Sequence, residues 1–203
     1  MPATLLLAST SPYRRRLLER LGLPFAVESP QVDEGAVAGE APAARALRLA
    51  HAKAAAVAAR HPQSWVLGSD QVADCDGIVL HKPGDAAGSR NQLQAASGRS
   101  VRFHTAAVLM RADPASVRDH LDLTTVHFRR LSEPEIARYV ELEAPHDCAG
   151  AFRSEGLGVT LFQSIDSRDP TALIGLPLIW VAAALRACGL DPLTGAGVAP
   201  AAS

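Results

Sequence analysis

The residues able to do chemistry gather in short polar segments between apolar runs. Ser9-Thr10-Ser11-Pro12 leads into Tyr13-Arg14-Arg15-Arg16. A hydroxyl-rich loop opening a helix offers free backbone N–H groups at a positive dipole end. Arg14 adds a charge-assisted fork, and with Ser9 it makes a phosphate cradle. The plain alternative is a helix N-cap beside a solvated arginine face. The GxxxxGK[ST] spacing of a P-loop is absent. Gly68-Ser69-Asp70-Gln71 closes an apolar run that starts at Trp65. Strand ends are where α/β proteins place ligands, so Asp70 can take a proton from water or hold a divalent cation. The alternative is an aspartate turning the chain. Asp33-Glu34 adds carboxylates that suit Mg²⁺ in company with phosphate oxygens, or that are simply solvated.

Only two of the 20 Lys+Arg residues are lysine, Lys53 and Lys82. A lysine offers a compact ammonium where arginine offers a flat fork. Lys82, stiffened by Pro83, suits a polyphosphate as a point charge. Lys53 sits in the middle of an Ala-rich helix, where a solvated face is the alternative. In Ser154-Glu155-Gly156-Leu157-Gly158 the glycines allow close backbone approach to a ligand, and Glu155 can accept hydrogen bonds from a base edge. The three cysteines form no CxxC pair and the seven histidines no zincin pair, so a zinc site is not expected.

The elements positioning these residues are also legible. Ala3 to Ala8 reads as a buried strand. Ser11 and Pro12 then open a helix that stops at Gly22. Phe25 to Glu28 follows as a strand, and Pro42 to Arg60 as a long helix. Trp65 to Val72 is a strand, with Asp76-Gly77 as a hairpin turn. Asp85 caps a helix to about Ser97. Val101 to Met110 and Leu121 to Phe128 read as paired strands. Ser132 and Glu135 form a capping box for a helix to Glu143. Val159 to Ile165 is expected as a strand and Pro170 to Cys188 as mainly helical. Alternating and then clustered strands predict an α/β fold with a mixed central sheet.

With 203 residues and a hydrophobic fraction of 48%, the chain suits one domain over residues 1–189. Residues 190–203, rich in Ala, Gly and Pro, are expected to be a flexible tail. A net charge of −1 gives no basic field for nucleic acid. The N-terminus lacks a basic region with a long apolar run, so no signal peptide is expected. Leu173 to Leu185 contains Pro177 and is too short to span a bilayer. Together these point to a cytoplasmic protein with reduced thiols.

Leu7-Ala8-Ser9-Thr10-Ser11-Pro12, Val32-Asp33-Glu34, Gly68-Ser69-Asp70-Gln71, Lys82-Pro83, Ala95-Ala96-Ser97-Gly98 and Gly175-Leu176-Pro177-Leu178 occur in one order along the chain. In that order they resemble the Maf family of nucleoside triphosphate pyrophosphatases. The likeness is closest to its branch acting on 7-methyl-GTP. That branch carries an aromatic where Tyr13 stands, and Glu155 and Gln71 fit it as well. The resemblance implies a mixed sheet flanked by helices, with two lobes around a nucleotide-binding groove (a Maf and ITPase-like fold), often as a homodimer. It implies that Asp70 is the general base, with Mg²⁺ or Mn²⁺ as cofactor. Glu34 joins Asp70 as a metal-side carboxylate. Ser9, Arg14, Lys53 and Lys82 are then phosphate ligands, and Tyr13, Gln71 and Glu155 set specificity. N7-methylation makes guanine cationic, which an aromatic face attracts by about 0.5–2 kcal/mol, and Glu155 can accept from its N1–H and N2–H₂ edge. Two rivals remain at this stage, a pyrophosphatase for dTTP, UTP or other modified nucleotides, and a nucleotide-binding regulator of cell division.

Overall fold

The structure, a computed structural model, describes residues 4–194. In chain order β1 is Leu5–Ala8, α1 Pro12–Glu19, β2 Ala26–Glu28, α2 Pro42–Ala58, β3 Trp65–Cys75 and β4 Ile78–Leu80. Then come α3 Ala86–Ala96, β5 Ser100–Arg111, β6 Ser116–Phe128, α4 Glu133–Glu143, β7 Phe162–Asp166 and α5 Leu178–Ala187. The described strands form one seven-stranded sheet in the order β2-β1-β3-β5-β6-β7, with β4 paired to β3. β1 runs parallel to both β2 and β3, and the other pairs are antiparallel. The mixed sheet is therefore as the sequence predicts.

β1 is apolar at every position because both its faces are covered. Leu5 and Leu7 pack with Leu17 and Leu18 of α1 and Val181 and Leu185 of α5. Leu6 and Ala8 pack on the other face against Ala46, Ala50 and Ala54 of α2. The small residues of α2 let it come close to the sheet. A Cβ on Gly68 would lie 2.5 Å from the Ala50 carbonyl oxygen, so β3 needs glycine there. Ser11 caps α1, its hydroxyl accepting from the Arg14 N–H at 3.4 Å, with Pro12 in the first turn.

A second lobe forms around Phe103, Val126, Phe128, Ile136, Tyr139 and Phe152, under α3 and α4. Phe152 meets Phe103 and Phe128 edge-on, at 5.4 and 5.7 Å between centroids. α4 carries the predicted capping box, the Ser132 N–H donating to Glu135 at 2.8 Å.

Some elements differ from expectation. β3 runs three residues past Val72, because β4 folds back on it through Asp76 and Gly77, both at positive φ. The first part of the expected Val159 to Ile165 strand belongs to a 3₁₀ turn, Leu157–Leu161. The Arg153 carbonyl accepts from the N–H groups of Gly156 and Gly158 at 3.3 and 3.1 Å and curls the chain before β7. The Pro170 to Cys188 stretch is broken. A 3₁₀ turn at Ala172–Ile174 ends at Gly175, whose φ of 123° no helix adopts, and α5 starts only at Leu178. The packed body extends one residue beyond the expected boundary at 189. Leu190 is 1% exposed, and its N–H donates to Leu185. Residues 195–203 of the expected tail lie outside the described residues.

Candidate active site

β3 loses and regains neighbours along one edge. β1 pairs with it over Trp65 to Gly68, and β4 pairs only from Ala73 to Cys75. Between them, Ser69 to Val72 have β5 on one side alone. That open edge faces a groove of about 600 Å³ lined from both lobes, a size suited to a small ligand. Asp70 therefore lies in mid-strand and not at a strand end. It reaches the groove because its neighbour β1 stops at Ala8.

The side chains of β3 alternate between faces. Asp70 points towards α2, as Gly68 does, and meets Lys53. The Lys53 ammonium donates to Asp70 Oδ1 at 2.6 Å and pairs with Glu34 Oε1 at 2.7 Å. Lys53 and Asp70 are only 6% and 7% exposed. A solvated helix face is thus ruled out for Lys53, which joins two carboxylates. Burial works to raise the pKa of Glu34, but Lys53, Arg14 and Lys82 outweigh it and hold Glu34 below its ordinary value. Asp33 takes no part, since its carboxylate accepts from the Gly35 N–H at 2.8 Å and only shapes the loop.

Above this cluster lies a cationic rim. Ser9 is buried, its hydroxyl accepting from the Ser11 N–H at 3.1 Å. Arg14 Nε donates to the Gly175 carbonyl at 2.9 Å, and the Ser69 hydroxyl donates to the same oxygen at 3.0 Å. The break at Gly175 thus aims α1's arginine into the groove. Burial lowers the Arg14 pKa, while Asp70 and Glu34 oppose that. Lys82 is exposed at the mouth.

The other end of the groove carries Tyr13, Glu155 and Gln71. The Tyr13 hydroxyl donates to Asp147 Oδ2 at 3.2 Å. Burial first, then Cys148 and Asp147, push this phenol well above its ordinary pKa. Glu155 is exposed and accepts from the Ser154 hydroxyl at 3.0 Å. Gln71 points away from Asp70. Its amide nitrogen lies 2.9 Å from Thr105 Oγ1 and 3.0 and 3.1 Å from the carbonyls of Ala172 and Leu173. Its amide nitrogen is therefore committed to fixing the 3₁₀ turn. Among the described residues no group of three His, Cys, Asp or Glu side chains is placed to hold a metal ion, and no helix is long and apolar enough to cross a membrane.

The family model described as Maf-like protein matches residues 4–188. The chain belongs to the Maf family. A Xanthomonas oryzae pv. oryzae protein named 7-methyl-GTP pyrophosphatase is 56% identical to this Maf protein over 93% of its chain and 98% of the relative. Proteins of the same name from Bordetella avium and Albidiferax ferrireducens are 53% and 51% identical, each over 93% of this chain and 95% of the relative. The solved Staphylococcus aureus Ham1 protein covers 76% of this chain and 89% of its own, with a TM-score of 0.46 and 13% identity.

In this Maf protein the groove gathers the nine residues assigned a site role from the sequence: Ser9, Tyr13, Arg14, Glu34, Lys53, Asp70, Gln71, Lys82 and Glu155. Two glycines read as ligand-approach positions serve the chain itself. A Cβ on Gly156 would meet Glu143 Oε1 at 2.6 Å, and one on Gly158 the Arg153 carbonyl oxygen at 2.2 Å. The Ala95–Gly98 motif lies away from the groove, where the Leu131 N–H donates to the Ser97 hydroxyl at 2.7 Å. Sequence reasoning missed Arg45, whose guanidinium donates to the Glu34 carbonyl at 3.1 Å. The Arg45, Leu49, Lys53 spacing on one helix face was its signal. Sequence reasoning gave Ser69 no role although its segment was singled out, and it missed Asp147 and Arg153, for which no local pattern exists.

Proposed function

We propose that this Maf protein hydrolyses 7-methyl-GTP between its α- and β-phosphates, giving 7-methyl-GMP and diphosphate. The observation that carries this reading is the Asp70–Lys53–Glu34 cluster set between a cationic rim and an aromatic end of one groove. The relatives' shared name supports the same substrate.

Lys53 fixes Asp70 through Oδ1, leaving Oδ2 without a protein hydrogen bond. Oδ2 is the atom that orients the attacking water and accepts its proton. Arg14, Lys82 and the Ser9 loop take the polyphosphate. Two bonds of the Lys53 ammonium hold carboxylates, and its third N–H is left for a phosphate oxygen. Mg²⁺ or Mn²⁺ fits the donor set, because Glu34 keeps one hard oxygen that Lys53 does not use, Asp70 would reach the ion through the water it orients, and such ions complete their shell with phosphate oxygens. When bound, the ion neutralises charge on the phosphate oxygens. Tyr13 stacks on the cationic ring and Glu155 accepts from its N1–H and N2–H₂ edge. An uncharged guanine loses the cationic share, and a uracil sets its O4 acceptor against a carboxylate. A cytoplasmic setting accords with Cys75, Cys148 and Cys188, all free thiols.

The test is diphosphate release from 7-methyl-GTP, GTP, dTTP and UTP with each metal. 7-methyl-GTP leads, by about 2- to 30-fold over GTP from the cation–aromatic share alone. Asp70→Asn lowers turnover at least about 100-fold. Equal or better use of dTTP or UTP overturns the substrate. Undiminished turnover by Asp70→Asn removes the base.

A further inference from the structure

We propose that Asp147 is a positioning residue for base recognition, tying the Tyr13 hydroxyl across the groove so that the ring is pre-set as a stacking face. The proposal rests on the reading of Tyr13 as the base platform. The two residues come from opposite walls. Tyr13 is on α1, whose Leu17 and Leu18 pack in the first lobe. Asp147 belongs to the segment after α4, whose Ala151 and Phe152 pack in the second. Their hydrogen bond of 3.2 Å is therefore a strut between lobes at the mouth of the site.

Asp147 divides its oxygens between two tasks. Oδ2 accepts from Tyr13, and Oδ1 accepts from Arg153 Nη2 at 3.0 Å, with the Cys148 thiol 3.5 Å away. Arg153 in turn donates to the carbonyls of Glu143 and Ala144 at 2.9 and 3.3 Å. The strut is thus rooted in the C-terminal end of α4. The backbone presenting it is held in conformations that side chains seldom adopt, with Ala144 at φ 43° and Ala151 at φ 58°. Such residues persist only where the surroundings fix them. A tyrosine ring free to swing would lose conformational entropy on each stacking event; a ring already held does not. If Asp147 served only to pair with Arg153, nothing in its role would need the Tyr13 hydroxyl.

The test is a double-mutant cycle of Tyr13→Phe and Asp147→Ala, read as KM and kcat for 7-methyl-GTP. Each single variant raises KM about 3- to 10-fold with kcat within about twofold, since the ring is kept and only its ordering is lost. The double variant is no worse than the larger single. A direct readout accompanies it. The chain has two tyrosines, so Cζ-labelled tyrosine gives two NMR signals. Asp147→Ala shifts that of Tyr13. Tyr139, whose hydroxyl accepts from the Arg153 N–H at 3.0 Å, keeps its signal and reports that the segment is intact. Additive effects, an unchanged KM in either single variant, or an unmoved Tyr13 signal overturns the proposal. If Asp147→Ala loses the Tyr139 signal as well, Tyr13→Phe alone decides. Tyr13→Ala separates the two levels. Should it leave the preference for 7-methyl-GTP over GTP intact, the platform reading fails. Should it abolish that preference while Tyr13→Phe and Asp147→Ala do not, only the strut fails.

Discussion

Lys53→Met tests whether one buried ammonium organises the site. Methionine keeps the unbranched stem and removes only the charge and its hydrogen bonds. Asp70, 7% exposed, is left without its cation, whereas the Glu34 side chain is 58% exposed and can turn to water. Removing one partner of a buried pair costs about 3–5 kcal/mol. With the groove wetting one side of this pair, about 2–4 kcal/mol is expected. For a domain of this size that lowers Tm by about 5–12 °C. The loss has a pH signature. Lys53 helps hold the pKa of Glu34 below its ordinary value, so its contribution is fully present above that ordinary value and disappears as pH falls through the depressed one. Thermal unfolding followed by circular dichroism at pH 7 and at a descending series of acid pH values reads both quantities. The variant melts lower at pH 7, and the gap narrows by Glu34's share as pH falls through its depressed value. Equal melting at pH 7, or a gap that does not change with pH, refutes the argument that Lys53 is held there by its carboxylates.

Gly68→Ala puts a methyl group 2.5 Å from the Ala50 carbonyl oxygen and 2.8 Å from the Ala54 nitrogen. α2 must retreat and take Lys53 from Asp70, so urea unfolding shows a loss of about 2–3 kcal/mol and diphosphate release falls; a stable variant of normal activity contradicts the close approach. Asp122 is 4% exposed, its Oδ1 has no partner, and burial with Asp169 nearby raises its pKa. A raised carboxylate favours the folded state at low pH, and the stability is lost as pH climbs from the ordinary carboxylate value to the raised one. Asp122→Asn therefore gains stability at pH 7 and nothing below the ordinary carboxylate range; equal stability at pH 7 counts against it.

The legible part of this molecule was its local chemistry. The unbroken apolar run of β1, the Ser11-Pro12 helix start, the Asp76-Gly77 turn and the Ser132–Glu135 capping box are each written in a few adjacent residues, and each is where it was expected. The positions of the functional groups depend on pairing over long separations. Asp70 and Gln71 are neighbours in sequence, yet strand alternation sends one to Lys53 and the other to the Ala172 and Leu173 carbonyls. Period two foretells that parting, because both residues lie within the expected strand from Trp65 to Val72. Lys53 is different, because nothing in an Ala-rich helix says which turn will lie over Asp70. The contact is decided by how closely Gly68 lets α2 approach, and by β1 ending at Ala8 so that the β3 edge opens. The scarcity of lysine flagged Lys53 without saying what it would touch. An active site made this way is a property of the register between β1, β3 and α2. Changes that shift this register take Lys53 from Asp70 while leaving both residues in the chain.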